Sequence, residues 1–175
     1  MIDRLLALLL LAGSALFTGC VNFKPTPDHT QIYVLAANVE PSADLTDKPR
    51  CYVGRVELPG FLEGSRILSR SASGTVVSAP RARWAEPPSE GLPRAIALHL
   101  QATGRAHVRA HYPWSTRDTE LINISVQFER FSANAEGLIE VIAQWQIVGP
   151  DGAVQEGRYI APQMHWDGLH VADYV

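Results

Sequence analysis

The stretches LINISVQFERF (residues 121–131) and LIEVIAQWQIV (residues 138–148) decide how this chain folds. In the first, Ile122, Ile124, Val126 and Phe128 alternate with Asn123, Ser125, Gln127 and Glu129. A period of two sets one row of side chains on a core and the other in water. The second repeats the device, with Ile139, Val141, Ala143, Trp145 and Ile147 on one side and Glu140, Gln144 and Gln146 on the other. The residues between them, Ala133-Asn134-Ala135-Glu136-Gly137, predict an antiparallel hairpin. A second turn at Gly149-Pro150-Asp151-Gly152 leads into a third strand of the same meander over residues 153–160.

Upstream, short apolar runs predict strands at residues 31–36, 51–57, 66–70 and 75–78, the last two as a hairpin across Ser73-Gly74. Leu58 to Gly64 reads as a turn built around two large apolar residues, Phe61 and Leu62. Residues 105–112 read as extended. Helical spacing occurs once, between Trp84 and Gly104, where Leu92, Ile96 and Leu100 recur at four-residue steps with Ala95, Leu98 and Ala102 beside them. Gly104 stands at the C-terminal cap. Pro87, Pro88 and Pro93 confine regular helix to the stretch after Leu92, with Arg94 to Thr103 its best part. The expected class is α+β: an antiparallel sheet with the helix packed on one face, a two-layer sandwich.

The chain opens MIDRLLALLLLAGSALFTGC. A basic residue, an apolar run and small residues before a cysteine are the parts of a signal peptide in order, and the run is too short to span a membrane well. Residues 1–19 are therefore expected to be a signal, and Leu16-Phe17-Thr18-Gly19-Cys20 resembles the lipobox of bacterial lipoproteins, which implies that Cys20 is the lipid-modified first residue of the mature protein, with Phe17 departing from the usual aliphatic. Residues 20–30 then serve as lipidated N-terminus and tether, and residues 31–175 as a single domain. The only other cysteine, Cys51, opens a strand, where a buried small thiol is expected. The formal charge is −3, which gives no electrostatic case for nucleic acid or for a polybasic membrane patch.

Chemistry-bearing patterns are absent. The sequence holds no G-x-x-x-x-G-K-[ST], no G-x-S-x-G and no H-E-x-x-H. His107 and His111 stand four apart in an extended segment, which separates their side chains by roughly 13 Å. The cluster His165-Trp166-Asp167-Gly168-Leu169-His170 lacks a partner set at a metal spacing. No metal, no cofactor and no enzymatic activity are expected. The residues left for function are those that could meet a partner: Phe61 and Leu62 in their loop, and Trp84 and Trp114 on either side of the helix. Trp145, on the inward row, is expected to pack.

Several further signatures come in a recognisable order: Ile32-Tyr33-Val34-Leu35; Val53-Gly54-Arg55-Val56-Glu57-Leu58-Pro59 leading to Phe61-Leu62; and Ile67-Leu68-Ser69-Arg70. Arg83-Trp84-Ala85-Glu86-Pro87, Tyr112-Pro113-Trp114 and Val126-Gln127-Phe128-Glu129-Arg130-Phe131 follow, with Trp145 in the hairpin. Together with the cysteine at position 20, the chain resembles the ABC-type transport auxiliary lipoprotein component family, the PqiC-like lipoproteins. Members of that family usually continue into a C-terminal helix past the equivalent of Val175, so that helix is expected to be missing here. The resemblance implies an accessory lipoprotein of an ABC/MCE-type intermembrane lipid transport system, a periplasmic docking subunit held at the membrane by its acyl chains. Its implied partners are MCE-domain and permease subunits, with a homo-oligomer left open. Its implied place is the outer membrane facing the periplasm, with the inner membrane as the alternative. Competing classes are a structural or regulatory envelope lipoprotein, such as a peptidoglycan synthase activator or a secretion-ring component, and a periplasmic hydrolase.

Overall fold

Among the described residues the two alternating stretches form the longest ladder, an antiparallel hairpin running from Asn123↔Val148 to Ala133↔Ile139. A computed structural model describes residues 27–35, 38–40, 44–110 and 120–166. Cys20, Trp114, His111, His170 and the chain end lie outside them, as do the signal and most of the tether. Among the described residues the order is β1 (Gln31–Tyr33), β2 (Arg50–Glu57), a 3-10 turn (Gly60–Leu62), β3 (Arg66–Arg70), β4 (Val76–Trp84) and α1 (Pro88–Ala102). The second half supplies β5 (His107–Ala110), β6 (Ile122–Ala133), β7 (Leu138–Val148), β8 (Val154–Ile160) and β9 (Met164–His165).

The class is α+β, but the sheet is mixed and not antiparallel as the sequence predicts. The three short turns give the three expected antiparallel hairpins, β3–β4, β6–β7 and β7–β8. The long connections give parallel neighbours: β2 with β5, β2 with β6, β3 with β6, and β1 with β4. Period-two alternation reports which face a residue takes and carries nothing about strand direction.

One edge of β6 belongs wholly to β7, and its other edge is divided. β2 occupies the first half, from Cys51↔Ile122 to Glu57↔Gln127, and β3 touches the far end at Ser69↔Ala133. The chain thus leaves the β6 edge after Glu57, makes an excursion over residues 58–65, and returns to the same edge. Glu140 secures the return. Its carboxylate accepts from Arg70 of β3 at 3.2 Å, Arg130 of β6 at 2.9 Å and Asn134 of the hairpin turn at 3.4 Å.

Two bulges set which residues reach the core. Register slips between Val53 and Val56 of β2 and between Phe128 and Arg130 of β6. Each inserts one residue, so the inward row passes from Val53 to Val56 and from Phe128 to Phe131, and strict alternation would have turned Val56 outward. Val56 instead packs with Leu92, Phe128 and Ala143. α1 lies against β2 and β5 and closes this part of the core with Leu92, Ile96 and Ala97. The helix begins at Pro88, four residues before the expected start at Leu92. Pro88 takes the first turn, and Pro93 forfeits one backbone hydrogen bond while its fully buried ring fills the interior.

A second core region has no helical residue. Ile67, Ala79, Ala82, Trp84, Ala133, Ile139 and Trp166 pack together beneath Tyr33 and Phe131. It exists because β4 runs to Trp84 and does not stop at Ser78 as expected. A wide irregularity around Pro80 and Arg81, the latter at φ 56°, carries the strand past the proline. Trp84 is 4% exposed and its ring lies 6.3 Å from that of Phe131. This corrects its assignment as a docking residue: the side chain is core. Trp84→Ala is expected to cost about 3–5 kcal/mol, read as a lowered midpoint in urea unfolding; a loss under 1 kcal/mol would show that the ring is not a core element. Cys51 is buried, and that burial pushes its thiol pKa up. In the native chain at neutral pH, iodoacetamide should leave Cys51 unmodified on peptide mapping, and denaturant should expose it to rapid alkylation.

Candidate docking surface

The excursion between β2 and β3 is shaped by its proline and glycine. Pro59 leads into the 3-10 turn, where the Leu62 N–H donates to the Pro59 carbonyl at 2.8 Å and the Glu63 N–H to the Gly60 carbonyl at 3.3 Å. One tight turn divides the adjacent apolar pair: Leu62 is 4% exposed and Phe61 is 49% exposed. Leu62 is therefore an anchor for the loop and not a partner-facing residue, a second correction. Phe61 keeps the orientation a docking role requires. Leu58 and Glu63, on either side of the turn, line a recess of about 300 Å³ together with Arg55 and, from the start of α1, Ser89.

A larger groove of about 650 Å³ runs across the outer face of β2, β6, β7 and β8. Its walls are the outward rows of the alternating strands: Ser125, Gln127, Gln144 and Gln146, with Glu156 and Arg158 from β8. Arg55 and Glu57 line both the groove and the smaller recess, so the two are continuous up to Leu58 and Glu63. Periodicity names these residues as solvent-facing, and their amide-rich composition was the available signal. What the sequence could not supply was the curvature that gathers them into a groove.

The bulge at Glu129 organises the charge beside the groove. Arg158 donates to both carboxylate oxygens, at 3.0 and 2.6 Å, and Gln144 adds a third bond at 2.9 Å. These bonds, that of Arg158 first, hold the Glu129 carboxyl below the usual glutamate range, and the same pair raises Arg158. An ionised, fork-bound glutamate is a structural cross-link between β6 and β8, not a proton donor held ready near neutrality. Among the described residues no three His, Cys, Asp or Glu side chains gather where a metal could sit. His107 lies on β5, while its expected neighbour His111 falls outside the described residues. Trp145 sits half-buried over Gly157, where a side chain's first carbon would come within 2.6 Å of the indole.

The same architecture is found in solved structures. An uncharacterised protein superposes with a TM-score of 0.63 at 16% identity, covering 83% of this chain and 86% of its own. A Xanthomonas campestris protein, XCC0632, of the DUF330 family superposes at 0.62 with 16% identity, covering 82% and 83%. At that identity the likeness is one of fold. No curated protein sequence matches the chain. Among the described residues no helix is long and apolar enough to cross a membrane. The sequence pattern of one family matches residues 33–175, and by it the chain belongs to the ABC-type transport auxiliary lipoprotein component family.

Proposed function

We propose that this chain is a non-enzymatic docking subunit of an ABC/MCE-type intermembrane lipid transport system, anchored through acyl chains on Cys20 to the outer membrane and facing the periplasm. Membership of a transport auxiliary family supports association with a transport complex. The observation that carries the docking role is Phe61, an aromatic side chain half-exposed on a braced turn whose flanking residues Leu58 and Glu63 line a recess, where an uncovered apolar group costs free energy. In this reading the energy source, the permease and the MCE-domain bridge are other chains, and this one holds a surface at a fixed distance from the membrane. The absence of a phosphate-cradling loop from its sequence is consistent with that division of labour.

Two measurements test the parts separately. Phe61→Ser, which leaves the buried Leu62 in place, is expected to weaken pull-down of the MCE-domain subunit about tenfold or more while the melting temperature stays within a few degrees, as for an interface aromatic. Unchanged capture by a folded variant would remove Phe61 from the interface. Cys20→Ala is expected to abolish labelling by radioactive palmitate and release the chain from the membrane fraction. Retained labelling would refute the anchor.

A further inference from the structure

We infer that Arg66, Arg81 and Arg83 form a binding site for the phosphate of a phospholipid headgroup, through which the domain lays one face of its sheet on the membrane that carries its anchor. The site stands on the geometry of β3 and β4; its assignment to a lipid rests on the Cys20 anchor proposed above.

β3 and β4 run antiparallel, and their register sets Arg66 directly opposite Arg83. Side chains so placed begin about 4.5–5.5 Å apart, where like charges repel. No carboxylate pairs with them. Among the described residues none of Arg66, Arg81 and Arg83 makes an ion pair, whereas Arg50, Arg70, Arg94, Arg130 and Arg158 all do. Arg81 joins the pair by way of the irregularity in β4. Ile67 of β3 faces the whole stretch from Ala79 to Ala82, so β4 bows out, and Arg81 takes φ 56°, a left-handed conformation that costs free energy in any residue but glycine. Beside the bow lies a recess of about 450 Å³, lined by the three arginines together with Thr30, Ser65 and Ser78.

Asp28 does not neutralise this group. Its carboxylate accepts from the Thr30 N–H at 2.9 Å at the entry to β1. Hydrogen bonding from Thr30, and then the charge of Arg83, hold the Asp28 carboxyl below the usual aspartate range, so it is ionised without forming an ion pair. Three arginines against one aspartate leave the recess cationic, a feature that the chain's formal charge of −3 conceals. A planar carboxylate is satisfied by one arginine fork in its own plane, whereas the tetrahedral oxygens of a phosphate accept from several directions at once. Guanidinium groups from two strands and a bow, with hydroxyls between them, supply donors in that arrangement.

The place of the recess favours a lipid over a soluble phosphate. Thr30, on its rim, ends the segment that begins at Cys20, and those ten residues span at most about 36 Å. Ile32 stands in register beside Arg83 and is 64% exposed. An apolar side chain among cations suits the headgroup boundary of an anionic bilayer, where both find cover.

The mature acylated chain, added to preformed vesicles of digalactosyl diacylglycerol, meets a surface that is neutral and free of phosphate; a second set of vesicles carries phosphatidylglycerol as well. Flotation with either set reports the anchor. Contact is read from a dye on Ile32→Cys, since Cys51 is buried. Quenching of that dye by aqueous acrylamide is expected to fall about threefold where phosphatidylglycerol is present. Arg66→Gln combined with Arg83→Gln should abolish this protection, as should Arg81→Gly, which suits the left-handed backbone. Relief of opposed charge and of strain should leave the melting temperature of these variants equal to the parent's or higher. A chain that floats but is quenched equally on both sets overturns the headgroup site, whereas a chain that fails to float overturns the anchor instead. Protection that survives in the folded arginine variants also overturns the site. Calorimetric titration of the detergent-solubilised chain with inorganic phosphate, and separately with a glutamate-rich peptide, is expected to show no saturation. Saturation by either, lost in Arg83→Gln, would make this a site for a soluble anion or for an acidic protein segment and overturn the lipid assignment.

Discussion

The β6–β7 ladder is the constraint on which the other elements are registered. It brings ten residue pairs into line and interrupts them once, at Glu129. On its flanks each neighbouring strand finds only a partial edge: β2 and β3 divide the free side of β6, and β8 and β9 divide the free side of β7. A hairpin of this length has to twist. Two shorter strands in series on each side accommodate the twist better than one long strand would, because each can leave the ladder and rejoin it. The single bulge in β6 adds to the bend and re-aims the inward row, so that Phe128 meets Phe131 edge-on at 5.3 Å.

This arrangement separates the duties of the two faces. The inward rows make the core, covered by α1 over β2 and β5 and closed around Trp84 and Trp166 elsewhere. The outward rows are mostly polar and are tied together by ion pairs at two points, Glu129 with Arg158 and Glu140 with Arg70 and Arg130. These groups are partly open to solvent, so they fix register and neighbour choice more than they add stability. The sheet is thus braced from within, and the exposed side of the excursion loop adds nothing to its register.

Much of this was legible in residues 121–160, where alternation and turn chemistry name the strands, their faces and their hairpins. The helix was legible from Leu92, Ile96 and Leu100, but its first turn was hidden by prolines that a helix N-terminus accepts. Strand direction was not legible for β2, β3 or β5, because parallel pairing is decided by long connections and leaves no local mark. Trp84 was misread for a related reason. Pro80 and Arg81 look like the end of a strand, and only a tertiary neighbour, the Ile67 and Ala133 side of the core, carries the strand through them. Of the docking residues named from sequence, Phe61 faces solvent, while Leu62 and Trp84 went to the interior. Neighbours in a 3-10 turn point about 120° apart, so one of an apolar pair can enter the core while the other stays outside, and sequence alone does not say which.

The divided edge of β6 has one more consequence. Because β2 and β3 are each seated on the same strand, residues 58–65 form a loop whose two ends are pinned independently of what lies between them. The entropy of bringing those ends together is already met by the ladder, and for a flexible loop each doubling of length adds only about 0.6 kcal/mol. The segment can therefore change length at small entropic cost as long as the buried Leu62 keeps its seat. Change of length is cheaper at this tip than anywhere along the ladder, where one added residue would shift the register of every pair beyond it.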